Sequence, residues 1–178
     1  TGRFEYLFWQ NYRALKPLVP SSRANFEELH SSAPLVTVLV PARDEEKMIG
    51  KSITSLLEQD YENFKIIVVD DRSEDQTGRI LKRLSAINAK KLRILKGSDP
   101  PEGWMGKCHA LHLAYQQIDP ATEILLFCDA DIIHHPTVIR RAAYQLRLTG
   151  SQLITLFPTI YYGSVWETWV LGVFSHLG

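Results

Sequence analysis

Two carboxylates separated by one small residue, Asp129-Ala130-Asp131, directly follow an apolar run over residues 124–128. The run has the length and composition of a buried β-strand. Mg²⁺ in proteins is held by one or two carboxylates together with substrate phosphates. In an open α/β sheet, ligands bind at the carboxyl ends of the strands. The triplet therefore predicts a site for a hard divalent cation and the diphosphate that the cation neutralises. The alternative is a turn whose carboxylates only cap the chain that follows.

A second acidic pair, Asp70-Asp71, ends the apolar run over residues 64–69, and the turn Pro41–Glu45 follows an earlier run. Carboxylates at such positions accept hydrogen bonds from a base N–H or from ribose hydroxyls. A solvated turn that caps the next helix is the alternative for Asp70-Asp71. Two strands that both end in paired carboxylates favour a nucleotide site.

The segment Gly103–Lys107 combines two glycines with a lysine at the start of a predicted helix. Glycines let a backbone approach a phosphate, and the lysine adds positive charge. An ordinary surface loop fits the pattern equally well. The segment is not a Walker A loop, because Pro101 and Cys108 stand where that motif needs Gly and Ser or Thr. No G-x-G-x-x-G fingerprint is present either, which disfavours dinucleotide redox chemistry.

Four histidines lie near these motifs: His109, His112, His134 and His135. Metal ligation by any of them is one interpretation. Packed or solvent-facing histidines are the interpretation that the pattern favours. No G-x-S-x-G nucleophile elbow occurs in the chain.

The elements that position these residues alternate between strands and helices. Strands are predicted over residues 35–40, 64–69, 91–95, 124–128 and 152–157. Ser73 and Gln76 form a predicted capping box for the second helix, and Pro136 lies near the first turn of the last one. This alternation predicts parallel strands joined by helical crossovers. The helix faces predicted to pack on the sheet carry Ile49, Ile53, Leu56 and Leu57, then Ile80, Leu81, Leu84 and Ile87, then Ala110, Leu111, Ala114 and Ile118.

The composition limits the partners of the chain. A length of 178 residues suits one domain with a real core. Lysine plus arginine and aspartate plus glutamate both number 20, which argues against a nucleic-acid binder held by a basic face. Cys108 and Cys128 are both predicted as buried thiols in a reducing compartment.

Both ends of the chain carry apolar residues outside the predicted sheet. Residues 1–33 mix aromatic and basic side chains, which predicts a juxtamembrane segment or a packing segment. The tail over residues 161–178 is apolar but too short to cross a bilayer, so it is expected to lie in the interface or to pack on further protein. The chain begins with Thr1 rather than Met, and we expect it to be part of a longer protein.

Three segments in this order, Val38–Glu45, Val68–Ser73 and Cys128–Asp131, resemble glycosyltransferase family 2, the nucleotide-sugar transferases of the GT-A fold. The resemblance covers about residues 34–160 and implies an α/β, Rossmann-like domain with a mostly parallel sheet between helices, truncated in this chain. The segment Pro101–Lys107 further resembles the membrane-associated members linked to hopanoid biosynthesis.

The resemblance implies a role for each motif. Asp131 would ligate Mg²⁺ or Mn²⁺ on the donor diphosphate, with Asp129 near the ribose or the metal. Lys107 would lie near the donor pocket. The residues that would hold a uridine-type base and ribose are Pro41, Ala42, Arg43 and Glu45 with one of Asp70 or Asp71.

The implied reaction is metal-dependent transfer of a sugar, most simply from a UDP-sugar, to a hydroxyl of a lipid or glycan acceptor. A divalent cation stabilises the departing diphosphate. A base deprotonates the acceptor for in-line attack, which inverts the anomeric centre. The resemblance places this activity at the cytoplasmic face of the inner membrane.

One departure from the family pattern concerns the base. Family members carry an acidic base motif well downstream of the aspartate triplet. The one acid after Asp131 is Glu167, which lies between Trp166 and Trp169 and is only a weak candidate. The base is expected beyond Gly178. A donor-binding module without turnover therefore remains an alternative, and a nucleotidyltransferase is a less favoured one.

Overall fold

The computed structural model of the chain describes residues 33–156. The predicted segment over residues 1–33, apart from Ala33, lies outside the described residues. The predicted apolar tail, Glu167 and Phe157 lie outside them as well.

Four strands alternate with four helices along the described chain. The strands are β1 (Val36–Ala42), β2 (Phe64–Asp70), β3 (Leu92–Lys96) and β4 (Ile124–Phe127). The helices are α1 (Ile49–Leu57), α2 (Thr77–Ile87), α3 (Gly106–Tyr115) and α4 (Val138–Thr149).

The strands form one parallel sheet in the order β3-β2-β1-β4. In the register, Val36 pairs with Phe64 and with Ile124, so β1 lies between β2 and β4. A parallel sheet is covered on both faces, which explains why β1 and β2 are nearly continuous apolar runs. The predicted α/β fold with a parallel sheet between helices is confirmed.

Alternate residues of the central strands feed two separate cores. Val38 and Ile66 point to the larger core, which also contains Ile53 and Leu81 of the first two helices. Helix α4 adds Ile139 and Ala143 to the same face. The opposite face is covered by α3, with a smaller core formed by Leu39, Ile67, Val69, Ala110 and Ala114. The crossover from β3 through α3 to β4 therefore lies on the other side of the sheet from α1 and α2.

Helix α2 begins at Thr77, later than the predicted capping box would place it. Its N-cap, Gln76, makes no side-chain cap, and the Asp75 carboxylate accepts from the Thr77 amide instead (2.9 Å). The Ser73 hydroxyl accepts a hydrogen bond from the Asp44 amide rather than from its own helix. The capping-box prediction was wrong because the Ser73 hydroxyl and the Gln76 amide both hydrogen-bond to the loop after β1 instead of to each other.

Gln59, two residues beyond the end of α1, caps the start of helix α4. Gln59 is 7% exposed, and its carboxamide oxygen accepts from the Ile139 amide in the first turn of α4 (3.1 Å). The carboxamide nitrogen donates to the His135 carbonyl (2.8 Å). Pro136 precedes the helix, which begins at Val138. This contact fixes the chain that follows Asp131 against α1.

Four local predictions were wrong. β4 is not a fully buried strand, because it lies at the edge of the described sheet and Phe127 is 57% exposed. Residues 152–156 form no strand. Cys108 is exposed, since it lies on the outer side of α3, whereas Cys128 is buried as predicted. Ile87 is exposed at the last turn of α2.

In the part of the chain that is described, no helix combines the length and apolar character needed to span a membrane.

Candidate functional site

The strand order creates a crevice beside the end of β1. The chain moves from β1 to β2 on one side, and β4 pairs with β1 on the other, which is the kind of switch point where α/β proteins bind ligands. Pairing of β1 with β4 ends at Leu39 and Phe127, while β1 continues to Ala42. Pro41 therefore sits past the end of that ladder, where its missing N–H costs the sheet no hydrogen bond. Pro41 and Ala42 thus belong to the strand rather than to the predicted turn.

The loop after β1 and the loop after β2 hold each other through reciprocal hydrogen bonds. The Asp44 amide donates to the Ser73 hydroxyl (3.1 Å), and the Asp44 carboxylate accepts from the Glu74 amide (2.8 Å). Asp44 adopts a positive φ of 53°, a conformation that aspartate tolerates better than most residues. The neighbouring Arg43 side chain is 54% exposed and lies 3.8 Å from the Asp44 carboxylate.

A second set of contacts continues this connection toward α2. The Glu46 amide donates to the Asp75 carboxylate (3.0 Å), and the Glu46 carboxylate accepts from the Gln76 amide (3.0 Å). The Glu45 amide donates to the buried Thr77 hydroxyl (2.8 Å). These bonds satisfy amides that a helix start leaves unpaired. They also fix Glu45 in the crevice between β1 and β4.

The acidic pair at the end of β2 is held differently from a solvated turn. Asp71 is 5% exposed, and both of its oxygens face the Arg72 guanidinium, at 2.9 Å from Nε and 3.3 Å from Nη2. Arg72 Nη1 donates to Asp99 (2.7 Å) in the loop after β3. A Cβ at Gly97 would lie 2.7 Å from the Asp71 Cα, so only glycine fits there. The two carboxylate partners raise the pKa of the Arg72 guanidinium.

Asp70 is the more accessible member of the pair. Its carboxylate accepts from the Ser73 amide (3.3 Å), and its carbonyl accepts from the Gly97 amide (2.8 Å). A Cβ at Gly78 would lie 2.6 Å from its other carboxylate oxygen. The pair therefore lies where the ends of β2 and β3 meet the start of α2.

Lys107 and Asp129 are brought together by the fold. Their ammonium and carboxylate groups lie 2.5 Å apart, and both side chains are more than half exposed. A Cβ at Gly106 would lie 3.2 Å from the Asp71 carboxylate, so the start of α3 packs directly against the acidic pair of β2. Helix α3 has no side-chain cap at its N-cap Met105. Its first amides therefore add positive potential to that of Lys107.

The negative charge of Asp131 acts on the Glu45 carboxylate from the other side of the crevice. The pKa of Glu45 is raised, first by burial and then by the negative charges of Asp131, Asp75 and Asp129. Asp131 is exposed, and its carboxylate forms no ion pair with another residue in the range 33–156. A cation in this crevice would relieve the repulsion between these carboxylates.

The donor set suits a cation that is shared with a ligand. No group of three or more His, Cys, Asp and Glu side chains within residues 33–156 could hold a metal by itself. Mg²⁺ and similar ions keep several waters and use one or two carboxylates together with substrate phosphates. Asp129 and Asp131, on one segment and beside a partly buried glutamate, fit that requirement.

The histidines match the packed or solvent-facing interpretation. His109 is buried, and its ring makes an edge contact with Trp104; the His112 ring is tilted against the same tryptophan, with centroids 5.0 Å apart. Burial lowers the pKa of His134, whose backbone amide donates to the Ser55 hydroxyl (2.9 Å).

Sequence patterns missed the residues that connect these loops. Arg72 lies inside the segment Val68–Ser73 but has no predicted partner, and Thr77 belongs to no motif; their partners Asp99 and Glu45 are 27 and 32 positions away. Gln59 gave no signal, because a polar residue at the end of a helix is ordinarily solvated. Asp44 lay inside the predicted turn, and its small acidic side chain was the one available hint of a positive φ.

Comparisons with known proteins identify the family of the chain. The family model described as glycosyl transferase family 2 matches residues 37–174, more than half of the chain. The chain is 32% identical over 120 residues to 4,4'-diaponeurosporenoate glycosyltransferase of Staphylococcus aureus, which covers 66% of this chain and 28% of that protein.

Two solved structures share the fold. The S. aureus TarS 1-349 structure in complex with UDP-GlcNAc has a TM-score of 0.52 and 28% identity, covering 64% of this chain and 31% of that one. The mannosyltransferase PcManGT from Pyrobaculum calidifontis, in complex with GDP-Man and Mn²⁺, has a TM-score of 0.59 and 26% identity, covering 79% and 39%. The chain thus spans well under half the length of these relatives. Because the family model matches more than half of its residues, this chain belongs to glycosyl transferase family 2.

Proposed function

We propose that this chain is the donor-binding part of an inverting glycosyltransferase that takes a sugar from a nucleotide-diphosphate sugar, a UDP-sugar in the simplest case. A divalent cation, Mg²⁺ or Mn²⁺, would be required. The observation that carries the proposal is the crevice in which Asp129, Asp131, Glu45 and Lys107 converge at the carboxyl ends of β1 and β4. The nucleotide-sugar complexes of the similar structures support the donor class.

Each residue of the crevice has a task in this proposal. Asp131, with Asp129, would hold the cation. Lys107 and the first amides of α3 would bind diphosphate oxygens. A bound cation would stabilise the negative charge on the departing diphosphate.

Asp70, the more accessible acid of β2, would accept from the ribose or base. Asp71 would serve by fixing Arg72 and the adjoining loop. Pro41 and Ala42 would form the wall of the pocket, with Glu45 and Arg43 at its rim.

The acceptor and the base belong to the wider proposal. Transfer requires a base within hydrogen-bond reach of the acceptor hydroxyl. None of the roles above supplies one, so we place it beyond Gly178, with Glu167 as a weak alternative. A lipid acceptor at the cytoplasmic face of a membrane would suit the apolar residues that the sequence carries in residues 1–33 and 161–178.

Calorimetric titration tests the donor site directly. UDP and GDP are titrated into the native chain with and without Mn²⁺, and the same titrations are made on Asp131→Asn, Asp129→Asn and Asp119→Asn. Asp119 carries the same type of side chain but pairs with Lys65, outside the crevice. We expect Mn²⁺-dependent UDP binding to be lost in Asp131→Asn, weakened in Asp129→Asn and unchanged in Asp119→Asn. Unchanged metal-dependent affinity in Asp131→Asn would reduce the triplet to a turn.

A transfer assay separates the enzyme from a binding module without turnover. The chain is compared with a longer form that restores the downstream sequence, using a radiolabelled UDP-sugar and membrane lipid extract. Transfer by the longer form alone would support a truncated enzyme. Transfer by this chain, lost in Glu167→Gln, would make Glu167 the base.

A further inference from the structure

The pairing of Lys107 with Asp129 has a consequence for the order of binding. The Lys107 ammonium lies within hydrogen-bond distance of one Asp129 oxygen. In the proposed function, which this inference builds on, that carboxylate contributes to the cation site. A lysine and a divalent cation would then compete for the same oxygen.

The position of Lys107 favours its release. It is the second residue of α3, where the helix dipole disfavours a positive charge. The contact with Asp129 is more than half exposed, and exposed ion pairs contribute only about 0.2–1 kcal/mol. The carboxylate thus holds the ammonium against an unfavourable field, in a weak pair.

The backbone around Lys107 is fixed, whereas its side chain is exposed and held only at its tip by Asp129. Gly106 packs against the Asp71 carboxylate, and the His109 amide donates to the Met105 carbonyl (2.9 Å). The side chain of Lys107 is 60% exposed, and a flexible four-carbon stem carries its ammonium. Movement of the ammonium from Asp129 to a nearby anion requires no change of the helix.

We propose that Lys107 is a resident cation at Asp129 that the metal–diphosphate complex displaces. Without donor, the ammonium occupies part of the cation site and weakens binding of metal alone. With donor, the ammonium moves to the diphosphate oxygens and frees the Asp129 oxygen for the metal. Metal and nucleotide therefore bind with positive coupling, and Lys107 carries part of it.

Binding of Mn²⁺ alone, followed by the EPR signal of the free ion, tests the exchange. Lys107→Met should bind Mn²⁺ alone about two- to fivefold more tightly than native protein, the factor equivalent to breaking an exposed ion pair of up to about 1 kcal/mol. The same variant should bind UDP more weakly in the presence of Mn²⁺. The factor by which UDP tightens Mn²⁺ binding should consequently fall.

Two further variants control for charge and for folding. Lys91→Met makes the same substitution at Lys91, which lies over the Phe64 ring at the amino end of the sheet, and should leave both affinities unchanged. Lys107→Arg keeps a cation and should behave closer to the native protein. Circular dichroism checks that each variant is folded. We expect the Lys107 variants to fold, because the side chain is exposed.

The outcomes separate this inference from the proposed function. If native protein shows no Mn²⁺-dependent UDP binding, both are overturned. If native protein binds UDP with Mn²⁺, while Lys107→Met binds Mn²⁺ alone with unchanged or lower affinity, the displacement is wrong and Lys107 only supports Asp129. An equal gain in Lys91→Met would attribute the effect to net charge and would also overturn the displacement.

Discussion

The Asp44 backbone amide donates to the Ser73 hydroxyl across a separation of 29 residues, and the Asp44 carboxylate in return accepts from the Glu74 amide. The loops after β1 and β2 are thus joined by backbone-directed bonds rather than by packing alone. The walls of the crevice are consequently set before any ligand binds. Preorganised loops of this kind reduce the entropy that binding must overcome.

Asp44 is the first residue that tests this connection. Asp44→Ala removes the acceptor for the Glu74 amide. It also leaves alanine, which has no side-chain hydrogen bond to compensate, at a φ of 53°. We expect a loss of about 1–2 kcal/mol in the free energy of unfolding. Asp44→Asn keeps an acceptor and tolerates this φ, so it should lose less. Urea denaturation measures both, and an unchanged free energy of unfolding in Asp44→Ala would mean that the carboxylate contact contributes nothing.

Two glycines in the loop after β3 are expected to differ in their tolerance to alanine. A Cβ at Gly97 would lie 2.7 Å from the Asp71 Cα, whereas a Cβ at Gly103 would meet nothing within 4 Å. Gly103 has a φ of +83°, so Gly103→Ala should cost about 1 kcal/mol of backbone strain. Gly97→Ala must displace the backbone at Asp71, and we expect it to lower the free energy of unfolding by about 2–3 kcal/mol.

Thermal and urea unfolding of the two alanine variants provide the comparison. Gly97→Ala should also reduce UDP affinity, because it moves Asp71 and with it Arg72. A larger loss in Gly103→Ala than in Gly97→Ala would contradict the close contact between the two loops.

Glu45 should make stability depend on pH. Its folded-state pKa is raised above the ordinary value of 4.5, chiefly by burial and then by Asp131. As pH rises, the unfolded state releases this proton before the folded state does. The free energy of unfolding therefore falls between the unfolded and the folded pKa of Glu45, and the fall is complete above the folded pKa. Glu45→Gln should therefore stabilise the metal-free protein at pH 7 and have little effect at pH 4.

Glu62→Gln is the matched control for Glu45→Gln. Glu62 is exposed and lies before β2, at the opposite end of the sheet. Exposed substitutions of this kind change stability by less than about 0.5 kcal/mol. Urea denaturation at both pH values gives the difference, and a destabilised Glu45→Gln at pH 7 would contradict the repulsion in the crevice.

The two cysteines are expected to react very differently. Burial, and to a lesser extent Asp129, raises the pKa of the Cys128 thiol to about 12, whereas Cys108 is exposed. Iodoacetamide at pH 8 should modify Cys108 in the folded protein and leave Cys128 unmodified until urea unfolds the chain. Peptide mass spectrometry distinguishes the sites. Equal rates in the folded protein would show that Cys128 is accessible.

The Cys128 pKa also predicts the alkaline limit of stability. Because the folded-state pKa is the higher one, the contribution is intact below the unfolded value of about 9.0 and is lost as pH rises toward 12. Cys128→Ala should lower stability at neutral pH, because it leaves a small cavity. It should also flatten the decline above pH 9.

Several features of the fold could be predicted from local sequence. Continuous apolar runs such as Val36–Val40 and Phe64–Val69 indicate strands buried on both faces, and helical spacing of Ile49, Ile53 and Leu56 indicates the packed face of α1. Boundaries were less certain. Pro41 indicates a turn when the sequence is taken alone, because a proline inside a strand is tolerated only where the neighbouring strand has ended, and that depends on the sheet.

The sequence by itself determined which residues are candidates for the site: the acids at the ends of β1, β2 and β4, and Lys107. Their types and their positions at strand ends are local properties. Only the tertiary structure decided how they are arranged, because the strand order β3-β2-β1-β4 is set by pairing between distant segments. That order places Lys107 beside Asp129, brings Arg72 to Asp99 and leaves β4 at the edge of the described sheet. Contacts between residues tens of positions apart leave no periodic trace in a sequence, and their geometry exists only once the chain is folded.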